Sequence, residues 1–175
     1  MKKIEIALNK NKIALLILGS LIFVILGILF LLNPEKFTSF RYRNEEFIRI
    51  AGILSVVFFG LTGIYGCFKF FDKKIGLTLN DEGIIDNTNA SSVGNINWNE
   101  IREIKMEQVM STKFLLVYVK NPNKFIESSS GFKKKIMIAN NKMYGTPISI
   151  TSNTLKCNFD ELEKIVLEFY NFYKK

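Results

Sequence analysis

Ile13 to Leu32 is an unbroken run of 20 residues without a charge, and 16 of them are Leu, Ile, Val or Phe. At about 1.5 Å rise per residue, a helix of this length covers roughly 30 Å, the thickness of a bilayer's hydrocarbon core. Each such side chain favours insertion by roughly 0.3–0.6 kcal/mol, so the sum selects lipid over water. The lysines ahead of the run (Lys2, Lys3, Lys10, Lys12) would also suit a cleaved signal peptide. A signal peptide's apolar stretch, however, is only about 7–15 residues long and ends in a small-x-small cleavage site. Neither feature is present, and a second run follows. Ile50 to Phe68 gives 19 uncharged residues, bounded by Arg49 on one side and by Lys69, Asp72, Lys73 and Lys74 on the other. The sequence therefore predicts a membrane anchor over 1–72, with transmembrane helices at about 13–32 and 50–70, and a second domain over 73–175. The whole-chain apolar fraction of 48% is ordinary. Its concentration in these two blocks excludes a wholly soluble reading.

Both spans carry small residues: Gly19, Ser20 and Gly27 in the first, and Gly52, Ser55, Gly60, Gly63 and Gly66 in the second. Small side chains let helix backbones approach, which is where association in lipid gains dispersion energy. An antiparallel hairpin packed partly through Gly60, Gly63 and Gly66 is expected; the alternative is that glycine is simply tolerated there. Two spans put both termini on one side. Lys2, Lys3, Lys10 and Lys12 with Lys69, Lys73 and Lys74 give seven positive charges on that side. The loop Asn33–Arg49 has four (Lys36, Arg41, Arg43, Arg49), accompanied by Glu35, Glu45 and Glu46. The positive-inside rule then places both termini in the cytoplasm and the protein in the inner (plasma) membrane.

From about Lys73 the pattern changes. Ile75 to Asn80 alternates apolar and polar, Asp81-Glu82-Gly83 supplies a turn with glycine at the expected left-handed position, and Ile84 to Asn87 resumes the alternation, a hairpin signature. After an Asn, Ser and Gly loop (87–94), Ile96 to Trp98 reads as a short strand. Ile101 to Val109 alternates again, and Phe114 to Val119 reads as a central strand. Asn121-Pro122-Asn123 stops it. Lys124 to Glu127 and Lys133 to Asn141 suit short helices around Ser128-Ser129-Ser130-Gly131. Pro147 to Thr151 is a last strand. Asn158 caps a final helix whose face is Phe159, Leu162, Ile165, Val166, Phe169 and Tyr173. The order is α+β: a two-helix hairpin, then a small antiparallel sheet or barrel closed by a C-terminal amphipathic helix.

These elements (two spans, Gly76-Leu-x-Leu, Asp81-Glu-Gly-Ile84, Ile96-x-Trp98-x-x-Ile101, Asn121-Pro, Gly145-Thr-Pro-Ile148 and the last helix) resemble a bacterial family of small membrane proteins of unsettled function. The soluble part of that family is similar to bacterial pleckstrin-homology-like domains. The resemblance implies a bent antiparallel sheet with the C-terminal helix plugging one open end. One departure stands out: in phosphoinositide-binding pleckstrin domains the lipid-binding lysines and arginines cluster around the first hairpin turn, which here is the acidic Asp81-Glu82-Gly83.

Catalytic chemistry finds little support. The chain has no histidine, and its cysteines, Cys67 and Cys157, have no ligand-type spacing. No phosphate-binding glycine loop or nucleophile elbow occurs. Of the candidate carboxylates Asp81, Glu82, Asp86, Glu100, Glu103, Glu107, Asp160, Glu161 and Glu163, the first two sit in a turn, the last three open the final helix, and Glu103 and Glu107 mark a solvated strand face. A non-enzyme without metal or cofactor is expected. Cys67 is either an acylation point or a small apolar side chain. Trp98, the single tryptophan, suits the core better than a ligand site. From Ile75 onward 13 basic residues face 11 acidic ones, too even for a nucleic-acid-binding field. The densest basic cluster is Lys133-Lys134-Lys135 with Lys124 and Lys142, near Ser128 to Gly131. It reads either as a contact for anionic headgroups or a protein partner, or as a solvated loop. The expected function is a non-catalytic membrane protein presenting an interaction domain at the cytoplasmic face, with residues 121–145 as its working surface. By analogy only, the alternative is an immunity protein that neutralises a secreted bacterial toxin at the membrane.

Overall fold

A computed structural model describes residues 1–38 and 44–174; Arg41 and Arg43, counted above for orientation, lie outside the described residues. The chain divides into two compact units, Lys10–Lys73 and the combination of Met1–Asn9 with Lys74–Lys175.

The first unit is a pair of long helices, α1 (Lys10–Leu32) and α2 (Glu45–Phe71). Asn44 begins α2 by accepting the Glu46 N–H, so the helix starts five residues ahead of the uncharged run. In the most apolar stretch of each helix only 11% of residues are buried. Leu15, Leu18, Leu54, Phe58 and Leu61 are each more than half exposed. A soluble protein's core helix would bury such a surface; both helices here are long and apolar enough to cross a membrane. The helices meet through Ile13, Ser20 and Gly27 on α1 and Ile48 and Gly52 on α2. A Cβ on Gly27 would sit 3.0 Å from the Gly52 carbonyl oxygen, and one on Gly52 only 2.8 Å from that of Gly27. Ser55 donates across the seam to the Phe23 carbonyl (2.8 Å), and Phe23 stacks on Phe59 at 4.3 Å.

The three glycines expected to form this seam differ from one another. A Cβ on Gly66 would sit 2.8 Å from Ile17 and one on Gly63 3.4 Å from Ser20, but one on Gly60 would have nothing within 4 Å. Gly60 lies at the side of the seam, which repeats every three or four residues through 52, 55, 59, 63 and 66, and it lines an open groove with Ile17, Ser20 and Val24.

The second unit holds two antiparallel sheets. In one, β1 (Ile4–Ile6), β2 (Leu77–Leu79), β3 (Gly83–Asp86) and β4 (Gly94–Asn97) lie side by side in chain order. In the other, β6 (Thr112–Val119) is central between β5 (Ile101–Val109) and β7 (Ile148–Ile150). The apolar alternation sets the register: Ile6 opposes Leu77, Leu79 opposes Ile84, and Ile84 opposes Ile96. Val117 likewise opposes Ile104 and Ile148. The tail ahead of the first span, read from sequence as a basic flank, thus also supplies an edge strand. The long hairpin α1–α2 is inserted between two neighbouring strands of one sheet.

The sheets do not close into a barrel. A 3-10 turn at Trp98–Glu100 separates β4 from β5, which lie in different sheets, and among the described residues one isolated bridge, Leu8 to Leu155, joins segments beyond the strands. Three helices complete the unit: α3 (Pro122–Glu127), α4 (Gly131–Tyr144) and α5 (Phe159–Tyr173). The Asn158 and Glu161 side chains cap one another's backbone N–H at the start of α5. Leu162, Val166 and Phe169 are fully buried, and Tyr170 donates its hydroxyl to the Arg102 carbonyl (2.7 Å).

Gly83 does not take the expected left-handed backbone; among the described glycines only Gly94, Gly131 and Gly145 have positive φ. The turn is made instead by Asn80, whose Oδ1 accepts the N–H groups of Glu82 (3.1 Å) and Gly83 (2.9 Å). Gly83 is needed for room, since a Cβ there would overlap the Ile96 carbonyl.

Candidate functional site

The five lysines expected to act together are dispersed. Lys124 sits on α3 and forms an ion pair with Glu100, so its charge is partly engaged. The other four project from α4 in different directions. At about 100° per residue, Lys135 and Lys142 share a face, Lys134 points to one side of it and Lys133 lies on the opposite face, near the buried Met137. Lys133 lines an open cleft of about 560 Å³ with Asp86, Asn89 and Ser92. The local sequence explains the helix. Pro122 begins α3 under the Asn121 cap, and Ser128 and Ser129 end it by donating to the Phe125 carbonyl. α4 then runs to Gly145, whose left-handed backbone (φ 76°) and N–H to the Asn141 carbonyl stop it. The hydroxyls of Ser128 and Ser129 thus serve α3 and are not aimed at an outside phosphate.

What the sequence reading overlooked on α4 is its apolar surface. Phe132 is 75% exposed, Met143 70% and Ile138 49%, while Met137 on another side is fully buried. The signal was the spacing 132, 135, 139, 142 and 143, one helical face mixing apolar residues with lysine.

Trp98 lies in the core as expected, 6% exposed, with its ring N–H donated to the Asn80 carbonyl (2.9 Å). It stacks on Tyr173 at 5.9 Å beside an open cleft of about 730 Å³. Arg102, Lys120 and Lys174 line that cleft together with Asp81 and Glu82, so its charges partly offset. Elsewhere the carboxylates serve structure: Glu100 caps the 3-10 turn, Glu103 pairs with Lys105, and Asp160 pairs with Lys113. Among the described residues no group of three or more His, Cys, Asp and Glu side chains converges as a metal site. Cys67 is exposed on α2 and Cys157 is half-buried near α5.

Compared with known proteins, the chain matches no family model, no curated protein and no solved structure.

Proposed function

We propose that this is a non-catalytic, two-span membrane protein that holds a small sheet domain against the cytoplasmic face of the plasma membrane as an interaction module. The observation that carries the reading is the insertion of two apolar helices between neighbouring strands β1 and β2. The linkers are residues 7–9 and 72–76. At about 3.3–3.6 Å per extended residue they reach roughly 10 and 18 Å, so the domain is kept at the surface that the helices enter. A four-stranded and a three-stranded antiparallel sheet followed by a helix support a pleckstrin-homology-like reading of the domain. The excess of lysine beside the domain ends of the helices supports the cytoplasmic side. The working surface is the segment from α3 through α4, a connection between β6 and β7 far longer than a hairpin requires.

The test is topological. A reporter active only in the cytoplasm, fused after Lys175, should be active, and the chain should leave membranes only with detergent. Reporter activity confined to the outer face would overturn the orientation, and recovery as a monomer in detergent-free buffer would overturn the anchor.

A further inference from the structure

Helix α4 carries a surface that its own domain leaves uncovered. Phe132, Ala139 and Met143 form one strip along the helix, Lys135 and Lys142 border it, and Ile138 lies beyond them, all within roughly 140° of arc. Burial of Met137 and the left-handed stop at Gly145 hold the helix in place. Single exposed apolar side chains are ordinary, but a strip edged by cations marks an interaction surface. α4 has four lysines and neither Asp nor Glu.

Charge decides what covers it. A second copy laid face to face would set Lys135 and Lys142 against their own kind, an unfavourable juxtaposition. A leaflet rich in anionic headgroups satisfies both features: lysine stems lie along the apolar boundary with their ammonium groups at phosphate level, while the larger apolar side chains enter the acyl region. Tethering by two apolar spans raises the effective concentration, so even a weak surface contact would be occupied.

We propose that α4 lies in the interface of an anionic leaflet, with Phe132 and Met143 immersed and Lys135 and Lys142 at the headgroups. This rests on the membrane-anchored reading above and names the partner of its working surface. Lys134 adds attraction from one flank, while Lys133, on the opposite face, and Lys124, paired with Glu100, take no direct part.

The full-length chain with Cys67→Ser and Cys157→Ser, reconstituted in lipid nanodiscs, provides the test. Single spin labels are placed at Phe132→Cys, at Met143→Cys and, as a water-exposed control on α5, at Lys164→Cys. Collision with oxygen and with a water-soluble nickel chelate is measured in phosphatidylcholine discs with and without about one-third phosphatidylglycerol. In anionic discs the labels at 132 and 143 should lose nickel access roughly threefold or more against the control, and gain oxygen access. High salt, or Lys135→Gln with Lys142→Gln, should restore nickel access. Nickel access equal to the control in anionic discs would overturn the proposal. So would protection that is the same in neutral lipid, or that rises with the number of chains per disc. If the labels stay in water while the chain remains with the discs, only the α4 contact fails. If the chain leaves the discs without detergent, the anchored reading itself fails.

Discussion

Asparagine side chains hold the irregular parts of the sheet unit together. Asn80 makes the β2–β3 turn. In the loop before β4, Asn89 donates to the Ser149 carbonyl (2.7 Å) and accepts from both the backbone and hydroxyl of Ser91. It therefore ties that loop to β7. Asn89→Ala would leave these groups without their partner and is expected to cost about 1–3 kcal/mol, read as a lower midpoint of thermal unfolding for the domain in detergent. Gly83→Ala is expected to be worse, because the added methyl meets backbone of β4 that cannot move without breaking the Gly83–Asn97 register. Loss of β3–β4 amide protection in hydrogen exchange would report it. Unchanged protection would show that the strands have room to separate.

At the level of elements, Lys10 has a use beyond its charge count. Its ammonium donates to the carbonyls of Lys69 (3.3 Å), Phe70 (2.6 Å) and Asp72 (2.6 Å) at the end of α2, the first of which also receives the Asp72 N–H. A cation there also offsets the negative end of the helix dipole. Lys10→Met is expected to weaken the hairpin by about 1–2 kcal/mol, since the Phe70 and Asp72 carbonyls lose this donor. The glycines give a sharper contrast. Gly27→Val forces the helices apart at their closest approach and should cost about 1–3 kcal/mol, whereas Gly60→Val should be near neutral. Resistance to unfolding in graded SDS separates the two, and equal effects would refute the seam. The long apolar runs and the alternating strands were legible because hydropathy period alone defines them. The seam was less so: glycine counts do not reveal which side of a helix a residue occupies, and Gly60, Gly63 and Gly66 look alike until the crossing is fixed. The surface of α4 was hidden for a similar reason, since Phe132 and Met143 read equally well as core residues until Met137 is seen to take that place.

For the whole molecule, the pairing of Ile4–Ile6 with Leu77–Leu79 was the feature least visible in the sequence. Three residues are too few to show a period, and the partner lies beyond both helices. Ile6 and Leu8 are nevertheless buried, 8% and 4% exposed. Deleting residues 2–9 would uncover β2 and the Leu155 contact and is expected to leave the sheet unit open to protease while the helices still insert. Limited proteolysis in nanodiscs checks this, and a protease-resistant domain in the truncated chain would show β1 to be dispensable. With both helices across a bilayer, β1 leaves the ribosome long before its partner and must wait on the same side until β2 arrives. Threading only one helix would maroon the two strands in different compartments. Completion of this sheet therefore requires that both helices cross, so that the chain returns β2 to the side where β1 waits.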